Sequence, residues 1–137
     1  MINQEELRKG NLVMHGNDVC TFLSIKENTN AIDEAVLSFN GEKRYVEINS
    51  LRGVCLNPKW MDVLGFKYKT SGAGGTDMWS GYNFWENHEF KIYLLGHKKI
   101  SKEYPLYYDR CYDFKFIYFH EVQNLILALT KKDIKIT

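Results

Sequence analysis

Three lysines, Lys98, Lys99 and Lys102, stand in one stretch with Tyr104, Tyr107, Tyr108 and Arg110. Clustered cations bind phosphates, and neighbouring tyrosines stack on bases or anchor a protein interface. These seven residues form the candidate partner-binding set. The plain alternative is a solvated loop running into an aromatic core strand. A second aromatic group, Trp79, Tyr82, Phe84 and Trp85, raises the same choice. Along a strand, Trp79 and Trp85 share one face and Tyr82 and Phe84 the other. One face suffices for a core. The other is then an exposed aromatic patch or an oligomer interface.

Other chemistry is less well supported by spacing. His15, His88, His97 and His120 form no His-x-x-x-His or His-Glu-x-x-His motif, and His88-Glu89 lacks the second histidine. No metal site and no cofactor is assigned. Cys20, Cys55 and Cys111 are odd in number and widely spaced, so they make no disulfide framework. Their apolar neighbours suggest small buried side chains. Arg110 beside Cys111 could lower a thiol pKa, but a buried strand cysteine is the preferred reading. No serine sits in a Gly-x-Ser-x-Gly elbow. Gly72-Ala73-Gly74-Gly75-Thr76 looks like a phosphate cradle, yet Thr76-Asp77 stands where a Walker loop needs Lys then Ser or Thr. It reads as a flexible loop. No catalytic residue is assigned. A site scattered over residues such as His88, Glu89 and His120 is the enzyme alternative.

The chain has 137 residues, with 18 Lys+Arg against 17 Asp+Glu and a net charge of +1. That balance argues against a generally basic nucleic-acid binder but allows a local patch. At 45 % hydrophobic and 26 % charged residues the composition is globular. The opening Met1-Ile2-Asn3-Gln4-Glu5-Glu6 lacks a signal peptide's basic start and apolar core. No apolar run approaches the roughly 18 residues of a membrane span. A cytoplasmic location is expected.

The elements that must position these residues follow from turn and cap signals. Asn3 caps a short helix that Gly10 ends. Leu12–His15 and Val19–Ile25 flank a Gly16-Asn17-Asp18 turn, and Ala35–Phe39 and Arg44–Ile48 flank Asn40-Gly41, predicting two hairpins. Four such strands suggest a small twisted antiparallel sheet of SH3-like kind. Asn57, Pro58 and Gly65 cap, open and stop a short helix. Residues 78–85, 90–95 and 111–118 read as strands of a second antiparallel sheet, with Phe114 and Phe116 on one face. Val122, Leu125, Ile126 and Leu129 form one apolar helical stripe, expected to cover that second sheet. Ile134 and Ile136 could add a final short strand. His120, Gln123 and Asn124 on the polar side, with Leu127, either touch a partner or, preferably, satisfy nearby backbone groups. The fold class is therefore α+β, a single domain over residues 1–137, with a soft boundary allowed near 70–77.

Three segments carry a family resemblance: Glu6-Leu7-Arg8-Lys9-Gly10-Asn11-Leu12-Val13, Leu56-Asn57-Pro58-Lys59-Trp60-Met61 through Leu64-Gly65-Phe66, and His120-Glu121-Val122-Gln123-Asn124-Leu125-Ile126-Leu127-Ala128-Leu129-Thr130. Together they resemble a family of short uncharacterised proteins of Bacteroidota and of their phages and prophages. Its patterns are E-L-R-x-G-N-x-V, P-L-T-x-x-W-L-x-x-F-G-F and V-H-x-L-Q-N-L-Y-x-A-L-T-G. Phe119, Asn57 and Lys131 depart from the usual Val, Thr and Gly. The stretch from Met78 to Tyr118 lies outside the resemblance. The resemblance implies a bacterial or phage accessory protein and supplies no catalytic residues. Small accessory proteins of this kind are often non-enzymatic binders.

The expected function is accordingly non-enzymatic binding of a host macromolecule, with inhibition of a defence nuclease such as a CRISPR effector as its concrete form. The expected partner is a host protein or ribonucleoprotein, with nucleic acid contacted through the basic and aromatic patch. No membrane is expected, and a homo-oligomer is allowed. The rivals are a nucleic-acid-binding protein acting alone, the scattered enzyme, and a virion component.

Overall fold

The computed structural model of the chain describes residues 2–70, 83–108 and 111–131, without the side chains of Cys111 and Tyr112. The chain divides into two compact units. One runs to Val54 and resumes at Tyr118; the other lies between them, from Cys55 to Ile117. The expected soft boundary falls, beyond Thr70, outside the described residues, as do Trp79, Tyr82, Arg110, the Gly72–Thr76 loop, Ile134 and Ile136.

In the first unit, Asn3 Oδ1 accepts from the Glu5 N–H at 3.1 Å and starts a 3-10 helix, Gln4–Glu6. Strands β1 (Leu12–His15) and β2 (Asp18–Lys26) form the first hairpin, in register from Leu12–Thr21 to His15–Asp18. Strands β3 (Glu34–Phe39) and β4 (Glu42–Glu47) form the second around Asn40-Gly41. A 3-10 helix, Ile48–Ser50, then turns the chain into β5 (Leu51–Gly53), which pairs antiparallel with β1. The order β4-β3-β2-β1-β5 is antiparallel throughout. It is the strand order of a small SH3-like barrel, with one strand more than the sequence suggests. Alternation along the strands fills the core with Val13, Cys20, Phe22, Ala35, Leu37, Val46 and Leu51, and leaves Tyr45 exposed.

The last helix, α2 (Phe119–Thr130), belongs to this unit and not, as the apolar stripe suggested, to the second sheet. Its first N–H, of Phe119, donates to Val54 O at 2.8 Å. The Tyr118 N–H donates to Glu121 Oε1 at 2.8 Å, one arm of a capping box. Gly53 permits the approach of Tyr118, because a Cβ there would lie 2.5 Å from the tyrosine ring. The buried residues are Phe119, His120, Val122, Gln123 and Ile126, while Leu129 stays half exposed. The face is rotated from the all-apolar stripe because Gln123 and Asn124 satisfy backbone of the N-terminal segment. Gln123 Oε1 accepts from the Leu12 N–H at 2.9 Å and its Nε2 donates to Gly10 O at 3.1 Å. Asn124 Oδ1 accepts from Asn11 Nδ2 at 2.9 Å and its Nδ2 donates to Glu6 O at 2.6 Å. These amides therefore perform the backbone-satisfying role preferred for them from sequence.

The second unit opens with α1 (Pro58–Val63), capped by Asn57 Oδ1 accepting from the Trp60 N–H at 2.8 Å. Strands β6 (Phe66–Thr70), β7 (Asn83–Asn87), β8 (Ile92–Leu95), β9 (Leu106–Tyr108) and β10 (Cys111–Phe116) form an antiparallel sheet ordered β10-β9-β8-β7-β6. Asn87 is 1 % exposed and joins two elements. Its Nδ2 donates to Leu64 O at 2.9 Å and its Oδ1 accepts from the Phe90 N–H at 3.0 Å. Phe84 and Trp85 point to opposite faces of β7, yet both are buried, at 7 % and 3 %. This pair therefore presents no exposed aromatic patch. Trp85 packs against Tyr68 at 5.2 Å, and Phe84 against Tyr93 and Leu95.

Candidate functional site

The β8–β9 connection carries the lysines, and its two ends are tightly held. The Gly96 N–H donates to Asn83 O at 3.1 Å, and Trp85 Nε1 donates to His97 O at 3.2 Å. Gly96 has φ +156, and a Cβ there would sit 2.5 Å from Leu106 Cδ2. Only glycine fits this position without displacing Leu106. At the other end Pro105 and Leu106 are buried. Between these anchors the chain folds into a turn. The Ser101 N–H donates to Tyr104 O at 3.2 Å, and the Tyr104 N–H donates to Ser101 O at 3.1 Å. Ser101 Oγ is a further acceptor for Tyr104, at 3.2 Å.

Lys102 and Glu103 are exposed on this turn, and Lys98 and Lys99 are exposed just before it. Tyr104 is 52 % exposed, and its ring meets His97 at 5.1 Å and 84°, an edge-to-face contact. The structure thus brings four of the predicted residues, Lys98, Lys99, Lys102 and Tyr104, onto one connection. It sets Tyr107 and Tyr108 apart, half-buried in β9 and registered with Leu95 and Leu94. They serve the sheet as well as its surface.

His97 opens the stretch read from sequence as a partner surface, but nothing there signalled its ring contact with Tyr104, seven positions on. Phe114 is 60 % exposed while Phe116 is 7 % exposed, so they do not share a buried face. A register shift between Cys111 and Lys115, where β10 pairs with β9, interrupts the alternation that placed the two on one face.

The other chemical candidates are placed as follows. His88 and Glu89 are exposed in the β7–β8 turn of the second unit. There His88 Nδ1 lies 3.6 Å from Glu86 Oε1. Glu86 pairs with Lys69 at 2.6 Å across β6 and β7. That lysine lowers the Glu86 pKa against the opposing effect of burial, and Glu86 in turn raises that of Lys69. Cys20 is buried beside Arg44, whose Nη1 donates to Asp18 Oδ2 at 3.1 Å and lies 3.2 Å from His15 Nδ1. Burial pushes the Cys20 thiol up and Arg44 only partly offsets it. Cys55 is exposed, contrary to its expected burial. Among the described residues no three His, Cys, Asp or Glu side chains gather as a metal site. No helix among them is long and apolar enough to cross a membrane.

His120 is 1 % exposed in the first unit. Its Nε2 lies 3.7 Å from Glu6 Oε2, its ring stacks on Tyr118 at 5.9 Å, and its Nδ1 has no hydrogen-bond partner among the described residues. Burial lowers its pKa, against the opposing pull of the Glu121 and Glu6 carboxylates. The unfolded chain therefore takes up a proton near the ordinary value of about 6.5 while the folded chain stays neutral to lower pH. In that window stability rises with pH and is lost on acidification. The melting temperature is expected to fall between about pH 7.5 and about pH 5.5, and to fall less in His120→Phe. Equal pH dependence in the two proteins would contradict this placement.

Comparison with known proteins finds no matching family model, no matching curated sequence and no matching solved structure.

Proposed function

We propose that this chain is a non-enzymatic binding protein, carried on phage or mobile DNA, that seats its β8–β9 connection on the RNA of a host ribonucleoprotein. A defence nuclease such as a CRISPR effector is the proposed target, and inhibition the consequence. One observation supports the reading above others: exposed Lys98, Lys99, Lys102 and Tyr104 share the β8–β9 connection, where reciprocal backbone hydrogen bonds between Ser101 and Tyr104 close the turn that holds Lys102. Three cations on one connection match phosphates, and its anchored ends and its Ser101–Tyr104 turn lower the ordering cost of binding. A cationic connection fits the RNA of such a particle better than the basic groove that holds it. The near-zero net charge supports a local patch over a general affinity for nucleic acid.

The test is capture from host lysate on the immobilised full chain, split with and without RNase, with mass spectrometry of what is retained. Retention of a nuclease ribonucleoprotein that RNase releases is the expected result. Retention unaffected by RNase would move the contact to protein. Recovery of no partner in either half would contradict the reading.

A further inference from the structure

The lysines account for attraction to phosphate but not for the half-exposed tyrosine beside them. We infer that the β8–β9 connection recognises unpaired nucleic acid, with Tyr104 as the platform for one base and Lys98, Lys99 and Lys102 on the flanking phosphates. This rests on the proposed function and adds the class of nucleic acid bound.

Three features support it. The Tyr104 backbone is fixed from both sides by Ser101, so little freedom remains to be lost on binding. Its ring is oriented by His97 yet keeps 52 % of its surface free. Its neighbours are three exposed lysines against the single acid Glu103, a net charge of +2 over residues 97–104 with His97 neutral. Aromatic stacking needs a base with an open face. Bases inside a duplex are stacked on both sides, whereas those of a single strand are accessible. A ring standing out of a basic connection is therefore wasted on a duplex and effective on a single strand. His97 is a positioning residue in this scheme.

The experiment measures equilibrium binding of the full chain to three labelled probes by fluorescence anisotropy. They are a short unstructured RNA, the same sequence as DNA, and the fully paired duplex. Both single strands are expected to bind more tightly than the duplex, and a preference between them identifies RNA or DNA as the natural source. Tyr104→Ala is expected to weaken single-strand binding by about 5- to 100-fold and to leave duplex binding nearly unchanged. Tyr104→Phe keeps the π-face and should bind as the parent does, which guards against a folding defect in the alanine variant. Equal affinity for duplex and single strand, or an inert Tyr104→Ala, would overturn the stacking role and leave the lysine contact standing. Failure to bind any probe, with ribonucleoprotein capture intact, would overturn this inference while sparing the partner. Loss of capture itself would sink the proposed function.

Discussion

Reversing Lys98, Lys99 and Lys102 together to glutamate is expected to weaken target binding by about 100-fold or more while leaving the fold intact. The size follows from replacing the three cations proposed to face phosphate with three anions, which removes attraction and adds repulsion. The intact fold follows from exposure. None of the three lysines has an ion pair among the described residues. Exposed substitutions of this kind cost no more than about 0.5 kcal/mol each. The anchors of the connection, Gly96, Pro105, Leu106 and the Trp85–His97 bond, are untouched by the change. Circular dichroism melts would check the fold, and binding to the captured particle would check the effect. Unchanged binding in a folded variant would show that the surface is misplaced.

Gln123→Leu is expected to destabilise the first unit by about 2 to 4 kcal/mol. The leucine leaves the Leu12 N–H and Gly10 O without their amide partner, and Gln123 is itself buried. The buried Leu12 N–H left unsatisfied costs about 1 to 3 kcal/mol, and loss of the part-buried bond to the exposed Gly10 adds about 0.5 to 1.5 kcal/mol. Against a total domain stability of about 5 to 15 kcal/mol such a loss is large. Gln123→Glu keeps the acceptor and loses the donor, so an intermediate loss is expected. Leu129→Ala, at a half-exposed position on the same helix, serves as the comparison with a small effect. Urea unfolding of the three variants measures the series. A Gln123→Leu protein as stable as the parent would contradict the assigned hydrogen bonds.

Local chemistry was readable in the chain. Asn40-Gly41 announced its hairpin, and Asn57-Pro58 with Gly65 bracketed α1 closely. What escaped depended on distant partners. Strand β5 is three residues long and exists because β1 offers it an edge. Strand β9 is equally short and lay within a stretch read mainly as loop. The buried face of α2 includes Gln123 because Leu12 and Gly10, more than a hundred residues away, supply its hydrogen bonds. No helical periodicity reveals that. Phe114 differs for another reason: strict alternation set it on one face with Phe116, and a local register shift interrupts that pattern.

The same partners give two of the resemblance-bearing segments a physical role. Residues 6–13 and 120–130 are hydrogen-bonded to each other through Asn11, Gln123 and Asn124. Their residues at these positions are thus accounted for by the attachment of α2 to β1. The basic-aromatic connection lies outside the resemblance altogether. Its cations were visible as a cluster, but its form rests on Ser101 and Gly96, which carried no functional signal, and on Trp85, which was read as a candidate aromatic patch and not as an anchor of this connection. Of the seven predicted partner-binding residues, the four on that connection now carry the proposal.

Salt dependence tests the central claim most directly. Binding of the intact chain to the captured ribonucleoprotein would be titrated over a range of potassium chloride concentrations. Three lysines on the phosphates of unpaired RNA predict that log K falls with log salt at a slope of about −2, and that the Lys98, Lys99 and Lys102 charge-reversed variant loses this slope. A flat salt dependence in the unmodified protein would contradict the account, because phosphate contact without counterion release has no physical basis.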